Sequence, residues 1–179
     1  MRCEPTTLEG YFEVQPPVHA DARGRLIKTF DSTAFEALGL ASMFSEHYFS
    51  ESARGVLRGL HFQAPPHVVA KLVYCIRGRV LDVALDLRAS GPTYGQIAMV
   101  ELDAERGNGV FVAEWLAHGF LALTDQAIVS CSMTGVYQPA SDAGIRWDSA
   151  GISWPHLGPQ LSEKDRHLPR FSEFRSPFR

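Results

Sequence analysis

The chain is poor in cysteine, in long apolar runs and in excess charge of either sign, and each shortage removes a class of protein. Only three cysteines occur in 179 residues, Cys3, Cys75 and Cys131, an odd number with no CxxC spacing. Neither a disulfide scaffold nor a zinc knuckle is expected, and a reducing compartment is the simplest setting. No stretch nears the ~18 uninterrupted apolar residues of a membrane-crossing helix, and the opening MRCEPTTLEGYFEV lacks the apolar core of a secretory signal. A cytoplasmic location with no membrane partner is therefore expected. The 17 Lys and Arg against 20 Asp and Glu leave a formal charge of −3. That balance offers no basic face to nucleic acid. Low-complexity segments, internal repeats and composition-marked linkers are missing too.

What is present is a globular composition, 45% hydrophobic and 21% charged. One domain over 1–179 is expected, burying roughly 70% of its unfolded surface. Eleven Phe, five Tyr and three Trp suggest a β-rich core with aromatic-lined cavities. Helical spacing near the start is confined to 33–39, with Ser32 or Asp31 as N-cap and Gly39 as the stop. After it, an apolar run over 68–76 leads through Arg77-Gly78-Arg79 into another over 80–87, two strands joined by a tight turn. Further strands fit 97–102, 109–112, 119–124 and 128–137, with turns at Gly91-Pro92 and Thr124-Asp125-Gln126. The last thirty residues hold Pro155, Pro159, Pro169 and Pro177 and read as loops around one helical turn at 162–166. Short strands at this spacing point to an all-β antiparallel sandwich or barrel.

The chemistry-bearing stretch is Gly55-Val-Leu-Arg-Gly-Leu-His-Phe-Gln63, with Lys71 on the next strand. On a regular strand alternate residues share a face, so His61 and Arg58 would point to opposite sides. A bulge or bend near Gly59 is needed to aim both inward. Asp82 and Asp86 share one face of an otherwise apolar strand, and Ala117-His-Gly-Phe120 sets a histidine beside a glycine at the entrance to another. Singly each has a bland reading: a satisfied core histidine, a snorkelling Lys71, an Asp82 that caps a turn or meets Arg79. Together Arg58, His61, Lys71, Asp82 and His118 form an unusual density of polar groups on buried-looking strands, costly there unless paired or functional.

The spacing resembles the metal-binding cupin pattern but breaks at the ligands. His61 matches the first ligand, Gln63 stands at the second, and Lys71 stands where a Glu is required. Of the later motif only Gly107 and His118 remain. A cation in place of a carboxylate repels a divalent metal, so no metal is expected.

These departures match one cupin branch. Over almost its whole length the chain resembles the dTDP-4-dehydrorhamnose 3,5-epimerase family, through Asp21-Ala-Arg23-Gly24, the Arg-Gly-Leu-His stretch, Lys71-Leu-Val, Gly78-Arg-Val-Leu-Asp-Val-Ala-Leu-Asp-Leu-Arg88, Pro92-Thr-Tyr-Gly95, Ala117-His-Gly-Phe120, Tyr137, Ile145-Arg-Trp-Asp148, Trp154-Pro155 and Leu161-Ser-Glu-Lys-Asp165. The resemblance implies a cupin-type jelly roll with a few short helices, acting without a cofactor on a nucleotide-diphosphate-linked 4-keto-6-deoxyhexose. His61 would be the general base and Asp165, on a C-terminal loop or helix, its orienting carboxylate. Lys71 would meet the charge developing on the sugar O4. Arg58 and Arg23 would hold the diphosphate, bidentate Arg being suited to it. In the family Arg23 comes from a neighbouring subunit, which implies a homodimer with exchanged N-terminal strands. His118, Gln63 and Tyr137 complete the expected substrate-binding set.

The chain also departs from the family. Where members carry a Tyr acid facing the His, it has Cys131, whose thiol is acidic enough to donate a proton (about 8.5 against about 10 for a phenol) but much shorter. Lys28 replaces a usual Glu, Glu46 a usual Gln and Tyr48 a usual Asn, all in the expected substrate pocket. Lys28 and Glu46 on neighbouring strands would form an exchanged charge pair. Ala113-Glu-Trp115 would put a bulky ring near His118. Three outcomes stay open: epimerisation at C3 and C5, epimerisation at a single carbon or on a different nucleotide sugar, and a nucleotide-sugar-binding cupin without turnover.

Overall fold

Runs of alternating apolar residues can bury one face of a strand, and continuous runs both faces, so a layered sheet structure follows from the sequence pattern. The computed structural model, which describes residues 1–155 and 158–179, has two antiparallel sheets and a detached ribbon. The first sheet has the order β1 (Arg2–Pro5), β2 (Tyr11–Gln15), β10 (Gly109–Val112), β7 (Lys71–Arg77), β12 (Ala127–Met133) and β5 (Glu46–Ser52). The second runs β13 (Asp142–Gly144), β6 (Leu57–Gln63), β11 (Leu116–Ala122), β8 (Arg79–Asp86) and β9 (Ile97–Asp103). Strands β3 (Val18–Asp21) and β4 (Gly24–Ile27) pair only with each other. The all-β jelly-roll expectation holds.

The core has three layers. Between the sheets lie Val73, Val80, Ala84, Val110 and Val129, all nearly inaccessible. On the outer face of the second sheet the C-terminal segment lays Trp154, Phe174 and Phe178 over Leu60, Phe62 and Leu85. On the outer face of the first, helix α1 (Ser32–Ala37) presses Phe35 onto Leu72, Tyr74 and Phe111, with Phe30 and Phe44 beside it. Most phenylalanines therefore go to the two outer layers. The expectation of aromatic-lined cavities is corrected in that respect.

Asp31 is the helix N-cap, its carboxylate accepting the Ala34 N–H at 3.1 Å, and Gly39 follows the C-cap Leu38 with φ +70°. The tight turn at Gly78 (φ +76°) is present, yet the strands it joins do not pair. β7 lies between β10 and β12, and β8 between β11 and β9, so the turn carries the chain from one sheet to the other. That crossing is why both strands read as near-continuous apolar runs: each is covered on both faces.

Two strand ends also differ from the sequence pattern. β11 starts three residues earlier than the apolar spacing suggests, because Leu116 pairs with Asp86 of β8. β12 stops at Met133, where its ladder with Glu46 and Lys71 ends. Helix α2 (Glu163–Arg166) falls within the expected helical turn, with Ser162 as N-cap. No helix among the described residues is long and apolar enough to cross a membrane.

Candidate active site

The local event that builds the site is on β6. His61 pairs with His118 of β11, while Arg58 pairs with Phe120, so β6 carries one residue more than its partner across this span. The extra residue is a bulge at Gly59, whose φ is +132°. A Cβ there would lie 2.6 Å from the Gly119 Cα, and one at Gly119 would lie 2.6 Å from the Arg58 carbonyl oxygen. Two facing glycines allow this approach, and the bulge turns both Arg58 and His61 toward one cavity of about 510 Å³ between the sheets.

His61 meets Asp165 across the mouth of that cavity, Nε2 to Oδ1 at 2.6 Å. Asp165 sits on α2 with 2% exposure. Burial pushes its carboxyl up, but hydrogen bonds from His61 and the Gly59 N–H (3.4 Å) and the favourable His61 charge outweigh that and hold it below the ordinary value. The carboxylate is therefore ionised and accepts the Nε2 proton, which leaves the basic lone pair on Nδ1. α2 itself is anchored by the Ser162 hydroxyl, which accepts the Asp165 N–H at 3.1 Å.

Lys71 enters from β7 on the opposite sheet, nearly buried, and its ammonium donates to the His61 carbonyl oxygen at 3.0 Å. Burial lowers its pKa, and Cys131, Asp82 and Asp142 partly restore it. His118 lies beside His61, and its Nε2 is 2.9 Å from Oδ2 of Asp82. The other Asp82 oxygen accepts the Tyr11 hydroxyl at 2.8 Å, so the buried carboxylate is satisfied by two partners. Burial, then the Asp82 charge, push the Tyr11 phenol well up. Tyr11 was not legible as part of the site; the only signal was the expensive placement of Asp82 in an apolar strand.

Arg58 is fixed to β5, its Nε donating to the Ser52 hydroxyl and its Nη2 to the Glu51 carbonyl, both at 3.1 Å. Tyr48 and Cys131 are cross-strand partners on β5 and β12 and both line the cavity. Burial pushes the Cys131 thiol up, with Lys71 opposing. Nearby, Gln63 and Tyr137 line a smaller recess that shares Tyr48, His61, Lys71 and Lys164 with the main cavity.

Other expected site residues lie elsewhere or are already engaged. The Gln63 side chain is spent on the fold, donating to the His67 carbonyl and accepting the Gln138 N–H at 2.6 Å. Lys28 and Glu46 do not pair. Lys28 forms an ion pair with Asp31 three residues on, while Glu46 accepts the Tyr137 N–H at 2.8 Å. The reason is topological: β4 pairs only with β3 and never adjoins β5. Arg23, 90% exposed in its side chain, sits at the tip of the β3–β4 ribbon against Asp21, away from the cavity of its own chain. The Trp115 ring lies 5.0 Å from the Arg88 guanidinium and does not line the cavity that His118 faces.

A base on one sheet, backed by a helix carboxylate and facing a cation and protic groups on the other sheet, can remove an acidic C–H proton and hold the resulting oxyanion. Among known proteins, the family model described as dTDP-4-dehydrorhamnose 3,5-epimerase matches residues 5–173. A dTDP-4-dehydrorhamnose 3,5-epimerase of Methanothermobacter thermautotrophicus is 44% identical over 167 residues, covering 90% of both chains. The crystal structure of dTDP-4-dehydrorhamnose 3,5-epimerase from Elizabethkingia anophelis superposes with a TM-score of 0.91 at 37% identity, over 97% of each chain. A 3'-monoepimerase from Streptomyces bikiniensis, solved in complex with dTDP-quinovose, gives 0.89 at 34% identity over 94% of this chain and 87% of that one.

Proposed function

The chain belongs to the dTDP-4-dehydrorhamnose 3,5-epimerase family, and from that premise we propose that its cavity takes a dTDP-linked 4-keto-6-deoxyhexose and inverts it at C3, C5 or both. The observation that carries this reading is the His61–Asp165 pair facing Lys71 across one cavity. A ketone at C4 acidifies the C–H bonds on either side of it. His61 Nδ1 takes such a proton, and the electron pair moves onto O4. Lys71, a cation lining the same cavity, favours the enolate over the ketone by attracting the charge that develops on O4. Asp165 keeps His61 in the productive tautomer and stabilises the imidazolium that forms. Arg58, held by Ser52 and Glu51, is oriented for a diphosphate oxygen.

A second subunit belongs to the same reading. Arg23 stands on a ribbon whose strands pair with neither sheet, and its exposed guanidinium, held only by Asp21 of the same ribbon, would reach the diphosphate in another copy's cavity. Single-carbon epimerisation is the second reading, favoured by a thiol rather than a longer acid at Cys131.

The test is incubation with dTDP-, CDP- and GDP-linked 4-keto-6-deoxyhexoses in deuterated water, with the label located by NMR and mass spectrometry. Deuterium with inversion at both C3 and C5 is expected of a double epimerase, and at one carbon of a mono-epimerase. Absence of exchange with every donor would overturn the reading and leave a binding protein. His61→Ala should lower exchange by at least ~10²-fold.

A further inference from the structure

Inversion of a carbon needs a proton returned on the face opposite the base. The base is on the second sheet, so the donor must come from the first. The cavity wall formed by the first sheet presents Tyr48, Ser50, Lys71 and Cys131 as protic groups. Lys71 is tied to the His61 carbonyl oxygen and is required as the cation beside O4. Cys131 is 4% exposed, and its side chain is much shorter than a phenol. Ser50 is two residues along from Tyr48 on the same strand face, but an alcohol is a weaker acid than a phenol.

Tyr48 differs from all of these. β5 is the edge strand of its sheet, and the inward positions Tyr48, Ser50 and Ser52 alternate along it. Register sets Tyr48 directly across from Cys131, so the phenol rises over the thiol, and the side chain spans both the main cavity and the adjoining recess. The residue keeps 47% of its surface exposed, yet burial against the cavity wall is the main cause that pushes its phenol up. Resting on the epimerase reading above, we infer that Tyr48 is the acid that protonates the enolate on the face opposite His61. It fills from β5 the space that Cys131 leaves open on β12.

The step balances without a further reactant. The substrate C–H bond breaks, its proton goes to His61 Nδ1, and the pair of electrons forms the enolate. The Tyr48 O–H bond then breaks as a new C–H bond forms on the other face, and the C4 carbonyl returns. Imidazolium and phenolate remain, and solvent water carries the proton from one to the other, the exposed edge of Tyr48 giving it access. Burial pushes the phenol's pKa up, with the Cys131 charge next, so Tyr48 starts each cycle protonated.

Tyr48→Phe keeps the ring and removes only the proton. In deuterated water with the dTDP-linked 4-keto sugar, the inverted product should fall by at least ~10²-fold while deuterium still enters at the same carbon with retention, because His61 remains competent. Binding of dTDP, measured by calorimetry, should stay within about twofold. Cys131→Ala should retain inversion. Wild-type inversion rates in Tyr48→Phe would overturn the assignment, and so would loss of inversion in Cys131→Ala. Loss of exchange together with inversion in Tyr48→Phe would also overturn it, by giving the hydroxyl a role before proton return. A wild-type enzyme that exchanges no proton at all would instead remove the epimerase reading on which the assignment rests.

Discussion

Asp165 combines near-complete burial with a carboxyl held below its usual pKa, a combination that only a matched set of donors produces. Its proposed job is to fix the His61 proton on Nε2, acting through the proposed base rather than on the sugar. Asp165→Asn keeps the shape but can present its N–H to His61, which turns the ring's proton to the wrong nitrogen. The expected result is a loss of kcat of at least ~10²-fold with KM changed only a few-fold, from initial-rate kinetics. Lys71 has its pKa lowered by burial, so its ammonium is lost below the ordinary lysine value of about 10.4. As pH rises through that lowered pKa the cation proposed to sit beside O4 disappears and kcat/KM should fall. In Lys71→Arg the descending limb should move to higher pH or vanish, because guanidinium stays charged. A limb unmoved by that substitution would assign it to another group.

At the scale of the element, the bulge on β6 decides whether His61, the proposed base, and Arg58, the proposed diphosphate ligand, can share one cavity. Gly59→Ala would place a Cβ 2.6 Å from the Gly119 Cα and 3.0 Å from the His118 carbonyl oxygen, backbone atoms that cannot step aside. We expect a destabilisation of about 1–3 kcal/mol in urea unfolding and a larger loss of turnover, since Arg58 and His61 would no longer aim together. Helix α1 tests packing instead of chemistry. Phe35 is fully buried, with Phe30, Phe44 and Phe111 edge-on to it at centroid distances of 5.1, 6.4 and 6.3 Å. Phe35→Ala should cost about 3–5 kcal/mol by the same measurement, with kcat of the surviving folded protein unchanged.

At the scale of the whole molecule, two buried carboxyls are held below their usual pKa: Asp165, which ties α2 to β6, and Asp86 at the end of β8, where burial is outweighed by its near neighbours Arg88 and Thr93. A carboxyl whose folded pKa is depressed adds stability that is present above its unfolded pKa of about 3.9 and is lost as pH falls through the folded value. Thermal midpoints should therefore drop on acidification below about pH 4, and Asp165→Asn should flatten that drop. The proposed second subunit makes a separate prediction. Sedimentation should give a dimer, and Arg23→Ala should raise KM for the dTDP sugar several-fold while leaving kcat within about threefold.

The amino-acid sequence by itself determined the β class and α1 with its cap and stop, from residue types at short spacings, and the family, from contiguous motifs; Asp165, 104 residues from His61, joined His61 and Lys71 only through what the resemblance to that family implied. The need for a bulge at Gly59 was also legible, since period-two alternation cannot aim Arg58 and His61 the same way. Only the tertiary structure decided what lies across from what. Lys28 meets Asp31 instead of Glu46, Tyr11 completes the Asp82–His118 relay, the 68–76 and 80–87 strands part into different sheets, and Tyr48 stands over Cys131. The physical reason is that pairing register between distant strands is set by packing of the whole core, so no local pattern around residue 48 carries the identity of its neighbour at residue 131.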